Sequence, residues 1–178
     1  MIILIGGDTH TGKTLLAQKL LERIGFPYLS IDHLKMGLIR VGLTELTAES
    51  DDKALTDFLW PIVREIIKTN IENSQNLIVE GCYIPFDFTE SFSPEYLRVI
   101  RYVCLAFSTH YIDEHFDYIC THESAIEKRI GNSGLMRDEL KEANRVNAEM
   151  CNRYSLKCLL IDNDYNADDL ASAVEELL

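Results

Sequence analysis

Residues 1–14 read MIILIGGDTHTGKT, an apolar run followed by glycines, hydroxyl residues and one lysine. Residues 2–5 are typical of a strand that is buried on both faces of a parallel sheet. From Lys13 onward, apolar residues recur at helical spacing as far as Gly25, a residue type that commonly ends a helix. The spacing G-x-x-x-x-G-K-[ST] over residues 7–14 thus falls where a strand turns into a helix, and there it predicts a phosphate-binding P-loop.

The predicted loop supplies the groups that bound phosphates require. Backbone N–H groups converge on an anion at a helix N-terminus, where the helix dipole is positive. Lys13 would add a positive charge at the β- and γ-phosphates, and the Thr14 hydroxyl would coordinate Mg²⁺. The residues expected to contact the nucleotide are Gly7, Asp8, Thr9, His10, Thr11, Gly12, Lys13, Thr14 and Leu15.

Two details of the loop leave alternatives. Many P-loops carry glycine where this chain has His10, so we expect the loop conformation or its exposed surface to differ there, with Asp8 and His10 meeting either substrate or solvent. A dinucleotide-binding loop is a competing interpretation because Asp32 lies at the distance of a ribose-binding acid. That loop needs G-x-G-x-x-G, which residues 6–12 do not spell, so we reject it.

The rest of the chain alternates apolar strands with helical stripes. Further strands are predicted at residues 26–31, 76–81, 99–107 and 157–161. Helices are predicted at residues 33–40, at 55–71, where Pro61 should kink the helix or begin its second part, and at 167–178 after the N-cap Asn166. This order predicts an α/β protein of three layers with a five-stranded parallel sheet, the P-loop NTPase fold, in one domain over residues 1–178.

Composition limits the partners. The chain has 178 residues, 29 of them acidic and 17 basic, for a net charge of −12. This balance disfavours nucleic acid and anionic membranes. No apolar run reaches the roughly 20 residues of a membrane span, and the first residues lack the basic segment that begins a signal peptide. The five cysteines are scattered along the sequence, which fits a reducing compartment. We therefore expect a cytoplasmic protein. The sequence does not indicate an oligomeric state.

Four stretches resemble one family. They are GGDTHTGKT, then YLSIDHL, then LIVEG followed by YIP, and finally a polar, arginine-containing segment before the last strand. In this order and over nearly the full length, the chain resembles small P-loop kinases of the adenylate, shikimate, gluconate and 2-phosphoglycerate kinase group. The resemblance implies an ATP-dependent transfer of the γ-phosphate to a small polar or phosphorylated metabolite, and the YLSIDHL and VEGCYIP contexts are more similar to 2-phosphoglycerate kinase.

Two acids follow predicted strands and are candidates for this chemistry. Asp32 is the candidate on the acceptor side, as a base or as a residue that orients the acceptor, although it also suits the N-cap of the next helix. Glu80 ends an apolar strand as a Walker-B acid does, so it is a candidate to hold a metal-bound water or the substrate, or else it is an ordinary strand-end acid. Because parallel strands bind ligands at their carboxyl ends, both acids should lie beside the P-loop.

Kinases of this group close a mobile lid over the phosphates, and the resemblance places it at residues 118–137. Arg129 and Arg137 are the candidate catalytic arginines, with Lys128 beside them, and a solvated helix face is the alternative for each. Residues 33–60 and 82–97 are expected to surround the acceptor. The side chains that could bind an anionic group of the acceptor are Lys35, Arg40, Tyr83 and Arg98.

Other functions remain open at this stage. One is a nucleoside monophosphate kinase, and another is a non-catalytic nucleotide-binding switch or regulatory module. A kinase of nucleic-acid 5′ ends is disfavoured by the charge. A zinc site at His110, His115, Cys120 and His122 is disfavoured by their spacing, because no two of them lie one helical turn apart.

Overall fold

The computed structural model describes residues 1–121 and 136–178. The five strands are β1 (Ile2–Gly7), β2 (Tyr28–Ser30), β3 (Leu77–Glu80), β4 (Ile100–Phe107) and β5 (Cys158–Ile161). The helices are α1 (Lys13–Ile24), α2 (Ile31–Arg40), α3 (Asp52–Glu72), α4 (Pro94–Leu97), α5 (Thr109–Thr121), α6 (Arg137–Arg153) and α7 (Ala167–Glu175), with a 3₁₀ turn at Phe88–Ser91.

The strands form one parallel sheet in the order β2-β3-β1-β4-β5. The central strand β1 pairs with β3 on one side and with β4 on the other, so the chain reverses its direction of winding at β1. Open parallel sheets bind ligands at such a switch point, outside the carboxyl ends of the strands. The segment between β1 and α1, which is the predicted P-loop, lies at this position.

Helices cover both faces of the sheet. On one face, Ile3 and Ile5 of β1 pack with Leu16 and Leu20 of α1 and with Val174 of α7. On the other face, the alternate residues of β1 pack with α2, α3 and α6. Because both faces are covered, the strands read as continuous apolar runs rather than as alternating patterns. The predicted three-layer α/β fold with a five-stranded parallel sheet is confirmed.

Some boundaries differ from those that the sequence predicts. Strand β2 ends at Ser30, and the buried Ile31 already belongs to α2. Helix α3 continues through Pro61 as one element, so this proline does not begin a second helix. The carboxylate of Asp51 accepts a hydrogen bond from the Ala54 N–H and caps α3, which extends the helix three residues before the predicted start.

The last helix starts where expected, since the Asn166 side chain accepts hydrogen bonds from the N–H groups of Asp168 and Asp169. It ends at Glu175, a little before the predicted end. No helix in the described part of the chain is long and apolar enough to cross a lipid bilayer.

Candidate functional site

Two glycines allow the loop after β1 to approach its neighbours closely. Gly7 has a φ of 129°, and a Cβ atom there would lie 2.4 Å from the backbone oxygen of Leu105. Gly12 has a φ of 82° and precedes the first residue of α1, and a Cβ atom there would lie 2.1 Å from the hydroxyl oxygen of Tyr165. Both positions therefore require glycine, because the backbone has a positive φ there and because no space is left for a side chain.

His10 has a φ of 65°, in the left-handed region that favours glycine. The histidine thus takes the kind of backbone conformation that a glycine at this position would take freely. The loop therefore differs from a glycine-containing loop by a partly buried imidazole, while its backbone takes a conformation that is common for glycine.

Lys13 is the central cation of the site. Only 7% of its surface is exposed, and its Nζ donates a hydrogen bond to the backbone oxygen of Asp8 over 2.6 Å. The hydroxyl of Thr11 donates to the same oxygen over 2.8 Å, which ties the loop to itself. The ammonium is therefore held across the mouth of the loop, at the end of β1.

Acidic groups around Lys13 keep it charged. Burial by itself lowers the pKa of Lys13, but nearby groups outweigh it, among them the carboxylates of Glu80, Asp32 and Asp8, and the pKa of Lys13 is raised above its usual value. Burial also raises the pKa of the Cys82 thiol, so this group is neutral at neutral pH and the carboxylates supply the negative charge. The predicted site acids Asp32 and Glu80 are thus electrostatic neighbours of the loop lysine.

Glu80 lies directly beside the loop. It is the last residue of β3, it is 1% exposed, and its Oε1 accepts a hydrogen bond from the Thr14 hydroxyl over 3.3 Å. A carboxylate and a hydroxyl are hard oxygen ligands of the type that Mg²⁺ prefers. The pair therefore fits the predicted metal position between the loop and the strand end.

Asp32 belongs to a second polar group of the site. The N-cap residue of α2 is Ser30, and Asp32 lies in the first turn, so it is not the N-cap. Its Oδ1 accepts a hydrogen bond from Lys35 Nζ over 2.6 Å, and the same Nζ donates to the hydroxyl of Tyr83 over 2.8 Å. Lys35 Nζ also lies 4.7 Å from the centre of the Tyr83 ring.

Lys35 remains a cation in this position. Burial lowers its pKa, but the hydrogen bonds to Asp32 and Tyr83 raise it, and the net shift is upward. Lys35 and Tyr83 are two of the four residues that the sequence analysis names as candidates to bind an anion. The other two, Arg40 and Arg98, are exposed side chains.

The loop between β5 and α7 also contacts the P-loop. The Tyr165 hydroxyl donates a hydrogen bond to the backbone oxygen of Gly12 over 3.3 Å, and its ring packs edge-on against Phe107. A cleft of about 280 Å³ lies beside it, lined by residues that include Asn163, Asp164 and Leu170. The sequence analysis did not single out Tyr165, although its position after the last strand, at the carboxyl edge of the sheet, was an available signal.

The predicted lid falls largely outside the described residues, and so do Lys128 and Arg129. Arg137 is the first residue of α6, and its guanidinium lies over the ring of Phe116 at 4.7 Å and 3.9 Å from a carboxylate oxygen of Asp113. Within the described residues it therefore contacts α5, and its contact with a phosphate stays a prediction. Among those residues, His110, His115 and Cys120 do not form a ligand group, while His122 lies outside them.

No protein-family model matches the chain, and no curated protein matches it. Solved structures do match. A protein from Chloroflexus aurantiacus described provisionally as a kinase has a TM-score of 0.59 at 15% identity, over 99% of this chain and 97% of that chain. A shikimate kinase from Bacteroides thetaiotaomicron has a TM-score of 0.58 at 15% identity, with the same coverage of 99% and 97%.

A gluconokinase from Sinorhizobium meliloti has a TM-score of 0.55 at 15% identity, over 98% of this chain and 91% of that chain. All three comparisons cover nearly the whole of both chains. The chain therefore has the fold of the P-loop small-molecule kinases, and the resemblance seen in the sequence is confirmed at the level of the fold.

Proposed function

We propose that this protein is an ATP-dependent phosphotransferase that moves the γ-phosphate of Mg-ATP to a small anionic metabolite with a free hydroxyl group. The observation that carries the proposal is the position of Asp32, which acts electrostatically on Lys13 of the P-loop and is hydrogen-bonded to Lys35. For their proposed role we call Asp32, Lys35 and Tyr83 the acceptor triad. A nucleotide-binding module needs the P-loop alone. A kinase needs a second polar site next to it, as here.

On the donor side, backbone N–H groups of the P-loop bind the phosphates, and Lys13 neutralises charge on the transferred group. Thr14 and Glu80 are the residues that would hold Mg²⁺, directly or through water. The ion, when bound, supplies positive charge between the β- and γ-phosphates. The cleft beside Asn163 is the proposed place of the adenine base.

On the acceptor side, Asp32 takes the proton of the acceptor hydroxyl while the hydroxyl oxygen bonds to the γ-phosphorus. The bond from that phosphorus to the oxygen of the β-phosphate breaks, and ADP leaves. Lys35 holds Asp32 in position and offers its charge to a carboxylate or phosphate of the acceptor. A phosphorylated glycerate, such as 2-phosphoglycerate, has both the hydroxyl and the anionic groups that this arrangement suits.

Arg129 and Arg137 complete the proposal as arginines that come over the phosphates when the lid segment closes. They would neutralise the charge that spreads over the γ-phosphate oxygens in the transition state. Their role is the part of the proposal that rests on the resemblance alone.

The test measures ADP release from Mg-ATP in the presence of separate acceptor pools. The pools hold phosphorylated glycerates, other sugar acids, shikimate, and nucleoside monophosphates. Lys13→Ala is the inactive variant. Lys19→Ala is the matched control, because Lys19 lies on the same helix but pairs with Asp168 on the surface, over 3.3 Å.

We expect the glycerate pool to raise ADP release in the wild type and in Lys19→Ala, and not in Lys13→Ala. Stimulation by the nucleoside monophosphate pool instead would identify an adenylate-like kinase. If ATP binds and no pool stimulates its turnover, the nucleotide-binding module becomes the better description. Full activity in Lys13→Ala would contradict any P-loop kinase.

A further inference from the structure

Three cysteines from three different elements meet on the α6 side of the sheet. Cys104 lies in β4, Cys158 lies opposite it in the neighbouring strand β5, and Cys151 comes from α6. Their Sγ atoms all lie within 4.8 Å of one another. None of these residues belongs to the P-loop or to the acceptor triad. We call them the thiol cluster.

We propose that the thiol cluster binds a divalent thiophilic metal ion, of which Zn²⁺ and Cd²⁺ are representatives. Zinc bonds to cysteine sulfur at about 2.3 Å, which sets three sulfurs around one ion about 3.8 to 4.0 Å apart, depending on whether the geometry is tetrahedral or trigonal. The sulfurs therefore need to close by less than about 1 Å, which small side-chain rotations supply.

The surroundings favour a divalent ion. Cys104 and Cys151 are fully buried among apolar side chains, where uncompensated thiolates are unfavourable. Three thiolates around a divalent ion leave a net charge of −1, whereas a monovalent ion would leave −2. Lys157, next to Cys158 in the chain, contributes a positive charge near that sulfur.

A fourth ligand would come from the Cys158 side of the cluster. Cys158 is partly buried, whereas Cys104 and Cys151 are buried. Zinc with three protein ligands commonly completes its tetrahedron with water. A water on the Cys158 side would complete the coordination without a further protein ligand.

A disulfide explains the cluster less well. The described residues include all five cysteines of the chain, and no disulfide joins any of them in the structure. A disulfide would draw two sulfurs to about 2.05 Å and leave the third without a role. An ion uses all three, and it would fasten α6 to the two strands at the β4–β5 side of the sheet.

The test uses the full chain, reduced, stripped of metal with a chelator, and handled without oxygen. Cd²⁺ is titrated in, and binding is followed by calorimetry and by the ultraviolet charge-transfer absorption of cadmium–thiolate bonds. The variants are Cys158→Ser and Cys151→Ala. Cys120→Ser is the matched control for Cys158→Ser, since both cysteines are partly buried but Cys120 lies outside the cluster.

We expect one Cd²⁺ per chain in the wild type and in Cys120→Ser. Both cluster variants should bind it more weakly by at least about 100-fold, which is the upper end of the loss seen when only an outer-shell partner of a metal is removed. Circular dichroism establishes that the variants fold. Zn²⁺ should raise the Tm of the wild type and of Cys120→Ser, but not that of Cys158→Ser.

Equal Cd²⁺ affinity in Cys158→Ser and the wild type would overturn the proposal, and so would the absence of stoichiometric binding in the reduced wild type. A third result, in which two of the thiols disappear on oxidation while no metal binds the reduced chain, would also overturn it and would identify a redox pair. None of these readouts depends on phosphotransferase activity.

Discussion

The ammonium of Lys35 lies 2.6 Å from a carboxylate oxygen of Asp32, one turn earlier on the same helix. The side chain of Lys35 is 10% exposed and that of Asp32 is 34% exposed. The pair thus has a buried cationic end and a more exposed acidic end, which also acts electrostatically on Lys13 of the P-loop. This polarity suits an acceptor whose anionic group binds Lys35 while its hydroxyl meets Asp32.

Replacing Lys35 by methionine should lower kcat/KM for the acceptor by about 10- to 150-fold, because a hydrogen bond to a charged group contributes about 1.5–3 kcal/mol. Methionine keeps the apolar stem of the side chain and removes its charge. The affinity for ATP should change little, since Lys35 does not contact the P-loop. Initial rates at varied acceptor concentration and nucleotide titrations measure the two effects.

Lys53→Met is the control for this variant. Lys53 also pairs with an aspartate of its own helix, Asp57, at 2.5 Å, but this pair is exposed on α3. Its removal should leave kcat/KM unchanged. Equal rates in Lys35→Met and Lys53→Met would show that the acceptor triad does not bind the acceptor.

Gly12→Ala should abolish ATP binding, whereas Gly25→Ala should leave it intact. The two glycines flank α1, and both have left-handed backbones, with φ values of 82° and 72°. An added Cβ at Gly12 would meet the Tyr165 hydroxyl at 2.1 Å, while Gly25 has no atom within 4 Å of that position. Gly25→Ala should therefore lower the free energy of unfolding only by the cost of a left-handed backbone at alanine, about 1–2 kcal/mol.

Denaturation curves and nucleotide titrations of both variants separate the conformational cost, which both share, from the steric clash with Tyr165, which only Gly12→Ala has. Gly12→Ala should be destabilised by more than Gly25→Ala. If Gly12→Ala binds ATP as well as Gly25→Ala does, then the close contact between Tyr165 and the loop does not hold in solution.

The sequence predicted the inner strands β1, β3 and β4 well because they are buried on both faces. Continuous apolar runs such as residues 2–5 and 77–79 have no other common explanation in an alternating α/β pattern. The same logic located Glu80 at the carboxyl edge, since it ends such a run, and Asp32 was placed there because it follows the predicted strand at residues 26–31. The P-loop was predicted from its spacing together with its place between a strand and a helix.

Long-range packing determined what the sequence did not predict. Lys35 and Tyr83 are 48 residues apart, and their contact depends on how α2 packs beside the segment after β3. Cys104 and Cys158 meet because of the register between β4 and β5, which no local pattern encodes. Likewise, the contact of Tyr165 with Gly12 follows from the position of β5 in the sheet rather than from any motif.

Thr14→Ala should raise the Mg²⁺ concentration needed for half-maximal activity by about 10-fold or more, since the loss of even an outer-shell partner of a metal costs about 10- to 100-fold. The hydroxyl that now donates to Glu80 over 3.3 Å would be missing, and one oxygen ligand with it. Thr14→Ser keeps the hydroxyl and should behave as the wild type does. An unchanged Mg²⁺ dependence in Thr14→Ala would remove Thr14 from the metal site.

Asp8→Asn should stabilise the protein at neutral pH, and this advantage should shrink as the pH falls. Burial raises the pKa of the Asp8 carboxyl, and the charge of Asp52 adds to the shift, while the Thr9 N–H and Lys13 offset it in part. Between the ordinary pKa of 3.8 and the raised value, the folded state binds more protons than the unfolded state. Rising pH through this window therefore lowers the free energy of unfolding of the wild type.

The asparagine variant has no carboxyl to ionise at this position. Its free energy of unfolding should therefore not fall in this way as the pH rises. Denaturant titrations of both proteins at a series of pH values measure the gap, and Asp117→Asn, at an exposed position on α5, corrects for the general effect of one lost charge. The gap should open as the pH rises above 3.8 and become constant above the raised pKa of Asp8. A gap of the same size at every pH would mean that the fold does not raise the pKa of the Asp8 carboxyl.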